Sequence, residues 1–551
     1  MRRTTINILP DEVLLGIFDF YLIESNSHMT SFRPDSHWLT LVHVCHRWRH
    51  TVLVSPRRLD LTLYCTYGTP VMTHLGSLPP FPVIVDYLTF SHLALKAAPN
   101  HEDDIIVALE HAGRVRSIKL AVTNHLLGVM ALVMRQPFPA LTTLWLSSND
   151  QNAPVLPGIF SIGPAPPLSQ ILLEGISFPA LPTFLSSANN LVDLQLKYIP
   201  QSGYISPEAM VPSLATLKRL DNLCIWFKTS ISHRQLRHSH VVSTRHVLLS
   251  LVTFKFHGSS MYLEHLLAQI DTPRLRSIDI TYFNQLDYQV PQLSQFIRRT
   301  EHLELSRCQN LHGLIRISNL YVELDFKEEG HRGTRITLRI SCKWLDWQVL
   351  HLAQILGQSP TLVSNVEHLS IDENDLQPEP GWDDSVDDTD WLELLHPFTA
   401  VKKLQGSKRL AGHIALALDG VGREMITEVL PALTLLLLED QRVGSVQIFL
   451  AAREISGYPV AFDPDGHWCT KCVRVFMRPQ ELLRHIRDVH DHPRKCPFKF
   501  CSYSWKRPDK LRAHLIRHHR EALAPDIFQR INELRGKDLI MFVDTIESPQ
   551  L

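Results

Sequence analysis

At 551 residues the chain is too long for a single hydrophobic core, and roughly two to four domains are expected. Hydrophobic residues make up 44% and charged residues 20%, the balance of a folded soluble protein. Lys+Arg 55 stand against Asp+Glu 56, a net charge of −1, which excludes a globally basic surface for nucleic acid or membranes; any basic patch must be local.

The start, "MRRTTINILPDEVLLGIFDFY", is interrupted by Asp11, Glu12 and Asp19 and does not read as a secretory signal. No run of about 18 apolar residues occurs, and "LPALTLLLL" (430–438) is half the length a membrane span needs. No membrane partner is expected, and the expected location is nucleus or cytoplasm. Of the nine cysteines, four cluster near the C-terminus; Cys45, Cys65, Cys224, Cys308 and Cys342 are scattered singly. That pattern fits free thiols in a reducing compartment.

Residues 4–60 read as two or three short amphipathic helices. Pro10 and the acidic residues beside it suit a first helical turn, and Val13, Leu14, Ile17, Phe18 and Tyr21 follow at helical spacing. A polar stretch, Glu24–Ser36, precedes "WLTLVHVCHRWRHTVLVSP", where Leu41, Val44, Cys45 and Trp48 are expected on one face.

From about 80 to 455 a unit of the form L-x-x-L-x-L recurs: Val115/Ile118/Leu120, Leu141/Leu144/Leu146, Leu168/Ile171/Leu173, Leu191/Leu194/Leu196, Leu220/Leu223/Ile225, Leu251/Phe254/Phe256, Leu275/Ile278/Ile280 and Thr300/Leu303/Leu305. Successive units start 26, 27, 23, 29, 31, 24 and 25 residues apart, the period of leucine-rich repeats. Asn149, Cys308 and Asn374 stand where such repeats carry Asn or Cys. One apolar strand per unit cannot bury itself alone, and stacking builds a continuous core. The pattern lapses after residue 310 and returns at Val366/Leu369/Ile371 and Leu433/Leu436/Leu438. Within the lapse, the acidic segment 372–391 reads as a solvated loop.

Residues 467–520 carry 14 Lys+Arg against 4 Asp+Glu. They hold Cys469-x₂-Cys472-x₁₂-His485-x₄-His490 and Cys496-x₄-Cys501-x₁₂-His514-x₃-His518, with His519 as an alternative last ligand. Two Cys on a hairpin and two His a turn apart on a helix converge on a tetrahedral Zn²⁺. Phe476 with Leu482, and Trp505 with Leu511, supply the small cores, while Pro479 and Pro508 open the helices. Zinc binding contributes on the order of 10–16 kcal/mol in comparable peptides, so the metal is the folding energy. Two Zn²⁺ per chain are expected, both structural because all four positions are protein ligands. A helical tail is expected over 521–551.

These units resemble C₂H₂ zinc fingers over about fifty residues. The resemblance implies base-reading positions at Arg478, Glu481 and Arg484, and at Arg507, Lys510 and Ala513, with Asp509 steadying Arg507 toward guanine. The linker "DHPRK" departs from the family's Thr-Gly-Glu-Lys-Pro, and two fingers cover only about six base pairs. DNA or RNA binding, a protein contact and a purely structural role are the readings to separate.

At the other end, Leu9, Pro10, Glu12, Val13, Leu14, Ile17, Phe18, Val44, Cys45, Trp48 and Arg49 resemble an F-box. "SPRRLDLTLYCTYGTPV", "YISPEAM", "WLELLHPFTAVKKL" and "EVLPALTLLLLE" extend the likeness to F-box proteins with irregular leucine-rich repeats of mushroom-forming fungi, over roughly residues 5–455. The stretch Glu24–Ser36 is longer than that family's usual connection. The resemblance implies docking on the Skp-type adaptor of a cullin ubiquitin ligase through Leu9, Pro10, Val13, Leu14 and Ile17, with the repeats recruiting a protein substrate. A buried helical cap on the repeats is the competing reading of these helices.

No G-x-x-x-x-G-K-[ST], G-x-G-x-x-G or G-x-S-x-G occurs, and "HEDD" (101–104) reads as a solvated loop, so no enzyme is expected. The expected fold is α/β: F-box helices (4–60), a leucine-rich-repeat-like solenoid (80–455), tandem ββα zinc fingers (467–520) and a helical tail. The expected function is a non-catalytic substrate-recognition adaptor of a ubiquitin ligase; the alternative is a zinc-finger nucleic-acid-binding regulator. A fusion of two neighbouring coding sequences would also produce this unusual order.

Overall fold

A computed structural model of the chain describes residues 8–27, 37–56, 59, 61–66, 71, 75–76, 79–88, 101–134, 136–150, 152–156, 167–230, 245–305, 310–328, 335–373, 387–422, 425–438, 446–463, 467–468, 475–476, 483–486, 494–496, 501, 504–505, 508–520, 527 and 529–531. The chain forms two compact units: Met1–Asn365 with Asn374–Thr399, and Val366–Glu373 with Ala400–Leu551.

The first unit begins with three helices, α1 (Asp11–Ser27), α2 (His37–Val44) and α3 (His46–Val54). The expected single face from Leu41 to Trp48 is instead broken at Cys45. That residue is extended, and its thiol caps α3 by accepting the Trp48 N–H at 3.5 Å. Leu41 is buried and Val44 exposed as a result.

A mostly parallel sheet follows, with strands β1 (Leu63–Cys65), β2 (Val83–Asp86), β3 (Val115–Ala121), β4 (Thr143–Ser147), β5 (Gln170–Glu174), β6 (Asp193–Ile199), β7 (Asn222–Phe227), β8 (Thr253–Gly258) and β9 (Ser277–Tyr282) side by side in chain order. The motif leucines lie on its helix-covered face: Ile118, Leu146, Leu194, Ile225, Phe254 and Ile278 are essentially fully buried. Turns repeat as well. The residues entering β5, β6, β7, β8 and β9 each donate an N–H to the equivalent carbonyl of the preceding unit, as in Ser169 to Thr142, Val192 to Ser169 and Asp221 to Val192, all at 2.8 Å. This is a leucine-rich-repeat-like stack, in which each unit completes its neighbour.

Helices α4 (His101–Glu110), α5 (Asn124–Val133), α6 (Leu181–Leu185), α7 (Pro207–Thr216), α8 (Ser260–Gln269) and α9 (Pro291–Arg299) alternate with the strands. "HEDD" is not a loop but the first turn of α4, where three carboxylates complement the helix dipole. On α8, Tyr262 lies against Phe227 and Phe256 of the sheet, with ring centroids 4.8 and 5.9 Å away.

Two expectations change near the lapse of the repeat. Thr300/Leu303/Leu305 buries its residues but forms a 3-10 turn (Glu301–Leu303). Beyond it lie β10 (Leu311–Ile317), β11 (Tyr321–Glu328) and β12 (Arg335–Ser341); β10 and β12 both pair antiparallel with β11, and β12 runs parallel to β9. The three residues between β10 and β11 are too few for a parallel crossover, so the meander replaces a repeat. Helices α10 (Leu345–Gln358) and α11 (Asp388–Leu395) pack together. The acidic segment thus ends as a helix capped by Asp387, with Trp391 fully buried; residues 374–386 lie outside the described residues.

In the second unit, β13 (Val366–Glu373), β14 (Lys403–Gly406), β15 (Leu435–Leu438) and β16 (Ala461–Asp463) are parallel neighbours, accompanied by α12 (Lys408–Asp419) and α13 (Gln447–Ile455). Here the repeat pattern returns as expected, with Val366, Leu369, Ile371, Leu433, Leu436 and Leu438 all buried. Two small antiparallel hairpins follow, β17–β18 (His467–Trp468 with Val475–Phe476) and β19–β20 (Arg494–Lys495 with Ser504–Trp505), then helix α14 (Pro508–His518). Of the expected tail, 527 and 529–531 are described, and they are helical.

Candidate metal centre and helical docking surface

The second Cys/His unit closes on itself. Cys496 follows β19, Cys501 lies in the hairpin, and α14 carries His514. Leu511 and Leu515, four residues apart on one face of the helix, are fully buried and hold α14 in place. Cys496, Cys501, His514 and His519 each offer one ligand atom, and these atoms all lie within 4.8 Å of one another. Cys501 Sγ is 3.3 Å from His514 Nε2, and Cys496 Sγ is 3.6 Å from His519 Nε2.

Those separations match a tetrahedral thiolate–imidazole site. With Zn–S near 2.3 Å and Zn–N near 2.0–2.1 Å, sulfur and nitrogen ligands sit ~3.5 Å apart and two nitrogens ~3.3 Å apart. The two Nε2 atoms are 3.1 Å apart. Burial, and then the neighbouring imidazoles, hold His514 and His519 below the usual histidine range, which favours the neutral, ligating form.

His518, the expected last ligand, does not join this group. It is exposed, and its ring lies 5.1 Å from that of His514. The α-helix ends at His518; the next residue leaves it while its N–H still reaches the Leu515 carbonyl at 3.0 Å, and His519 takes the fourth position. The alternative x₄ spacing is therefore the one that assembles.

In the first unit, hairpin β17–β18 and a helical turn at 483–486 are present, and His485 is buried. Cys469, Cys472 and His490 lie outside the described residues, as do Arg478, Glu481 and Arg507. Arg484, Lys510 and Ala513 are exposed.

At the N-terminus, α1 has two apolar faces. Leu14, Leu15 and Phe18 are buried, and Phe18 packs on Trp48 of α3 at 4.7 Å. Val13 (46% exposed), Ile17 (44%) and Phe20 (70%) form the opposite stripe, with Ile8 exposed before the helix. Among the expected docking residues, Pro10, Val13 and Ile17 are exposed and Leu9 is half-buried. Leu14 is the correction: it points into the bundle, because it shares the inner face with Phe18 four residues on. Phe20 continues the exposed Val13/Ile17 spacing. Arg47 ties α3 to the start of α1, donating to Asp11 at 2.6 Å and to the Leu9 carbonyl at 2.5 Å.

No known protein-family profile matches the chain, and no curated protein matches it. Among solved structures, the crystal structure of the leucine-rich repeat-containing protein LegL7 from Legionella pneumophila is similar at 12% identity and a TM-score of 0.23, covering 73% of this chain and 99% of that one.

Proposed function

We propose that the protein is a non-catalytic substrate-recognition adaptor of a cullin-type ubiquitin ligase, acting in nucleus or cytoplasm. Helices α1–α3 dock on the Skp-type adaptor, the repeat sheet recruits a protein substrate, and two C₂H₂ modules each hold a structural Zn²⁺. One observation carries the docking: α1 buries Leu14, Leu15 and Phe18, yet exposes Val13, Ile17 and Phe20 on its other side. A helix apolar on both sides has one face more than its own core needs, and a partner groove is the usual use of the second. The thiolate–imidazole donor set suits zinc, and four protein ligands leave no open position for chemistry.

The test is co-expression of the full chain with a Skp-type adaptor. The wild type captures the adaptor, and Val13→Asp/Ile17→Asp loses it; a wild type that captures none overturns the reading.

A second reading rests on the local basic excess of residues 467–520 and on the exposed Arg484 and Lys510. In it the fingers bind nucleic acid. Affinity of the full chain for duplex DNA then falls steeply with salt. Unchanged affinity in Arg478→Ala/Arg507→Ala sinks base readout.

A further inference from the structure

The sheet face opposite the helices carries a feature that neither the repeat pattern nor the terminal modules explain. Four rings stand in a row, three on successive strands and the last just beyond β9: Tyr198 and Trp226 at 4.9 Å, Trp226 and His257 at 4.8 Å, His257 and Phe283 at 4.8 Å. The first rung is there through a backbone irregularity. Between Leu196 and Ile199 the register of β6 against β7 slips, so that Lys197 and Tyr198 together oppose Trp226. Tyr198 has φ +49, a left-handed conformation that non-glycine residues rarely adopt. Such bulges re-aim side chains, and such outliers cluster at functional sites.

Beside the rings, Asp193, Gln195, Lys197, Cys224, Lys255 and Arg339 help to line a cavity of about 580 Å³, within the range of ligand sites. Its charges fall into two groups. Arg339 is committed to Asp279 at 2.7 Å and to Glu323 at 2.5 Å. Lys197 and Lys255, both close enough to act on the Cys224 thiol between them, have no ion-pair partner among the described residues. Two polar atoms are buried without a hydrogen-bond partner: Asp193 Oδ1, which can only accept when ionised, and His257 Nε2. Burial holds the His257 imidazole down to about 4, so it is neutral and adds no positive charge.

We propose that this face binds an extended acidic peptide segment of a partner protein, with aromatic or proline side chains against Tyr198 and Trp226 and a carboxylate between Lys197 and Lys255. It rests on the reading that the repeat domain recruits a protein. A peptide backbone supplies N–H to Asp193 and either a donor or an acceptor to His257, whereas phosphate oxygens only accept. The rings are tilted by 39–47° to one another, so they offer notches for separate side chains instead of one flat platform for a sugar or base.

The test uses the full chain and an array of random hexapeptides in two sets, each with one aromatic residue or proline two positions from a fixed Asp/Glu or a fixed Lys. The acidic set binds at least about tenfold better than the basic one, and Trp226→Ala lowers that binding by about tenfold or more, as truncating a central aromatic does. Lys197→Glu/Lys255→Glu, a surface change that spares the core, inverts the preference. Equal binding of both sets, an acidic preference that survives the charge reversal, or stronger binding of single-stranded RNA overturns the proposal. Adaptor capture is measured on the same preparations: peptide binding without adaptor capture sinks the ligase reading alone, and adaptor capture without peptide binding sinks this one alone.

Discussion

His514 Nε2 and His519 Nε2 lie 3.1 Å apart, each also within reach of a cysteine sulfur. Two imidazoles converge in this way when both face one cation. His519→Ala should therefore lower the zinc content by one ion per chain and leave the second module unfolded, because metal binding supplies its folding energy. His518→Ala should leave the content unchanged. Metal analysis of the two purified variants checks this, and the reverse outcome would restore the x₃ spacing. The wild type should hold two zinc ions.

Arg453 is fully buried on α13 and donates to the carbonyls of Ile426 (3.3 Å), Pro431 and Leu433 (both 3.2 Å). It holds the irregular segment between α12 and β15. Arg453→Ala strips donors from three carbonyls at roughly 1–3 kcal/mol for each one left buried and unsatisfied, so it should cost about 3 kcal/mol or more. Arg453→Lys should recover only part, since an ammonium lacks the planar fork. Urea denaturation of both variants measures the difference.

Gly175, at the end of β5, has φ +69, and a Cβ there would stand 2.2 Å from the Ser148 carbonyl oxygen. The Gly175 N–H bonds Lys197 on one side, and Ser148 bonds Glu174 on the other, so the backbone cannot yield. Gly175→Ala should destabilise the first unit by more than about 2 kcal/mol, read as a lowered denaturation midpoint.

Glu264 on α8 accepts the N–H of Gln292 at 2.6 Å and of Leu293 at 2.9 Å, capping α9. Burial nevertheless outweighs those bonds and pushes its carboxyl up to about 7. The folded state then keeps a proton that the unfolded state releases. Stability should fall as pH rises from the ordinary glutamate value to about 7, by at most about 1.4 kcal/mol per pH unit, and level off above that. Glu264→Gln should flatten this part of the profile in denaturation measured from pH 4 to 8. An unchanged slope would contradict the assignment.

The repeat was legible in the sequence because one buried leucine triplet per strand repeats at the stacking period, and those positions are the core. The meander β10–β12 was not, because its apolar residues follow a period of two without a recurring unit. At the metal centre, ligand types and spacing were readable. The choice between His518 and His519 was not, since it depends on where the last turn of α14 ends. The α1 surface was half readable: spacing gives the Val13/Ile17 stripe, but which of two apolar faces turns inward depends on Trp48, a tertiary partner thirty residues away. The ring row on β6–β9 left no signal, because it requires a register slip at Tyr198 that sequence periodicity cannot display.

The most direct measurement is titration of the purified full chain with a purified Skp-type adaptor. One adaptor per chain is expected, with a loss of affinity of about tenfold or more in Val13→Asp/Ile17→Asp and the zinc content and thermal midpoint of the variant unchanged. Absence of binding by the wild type, or equal affinity in the variant, would contradict it.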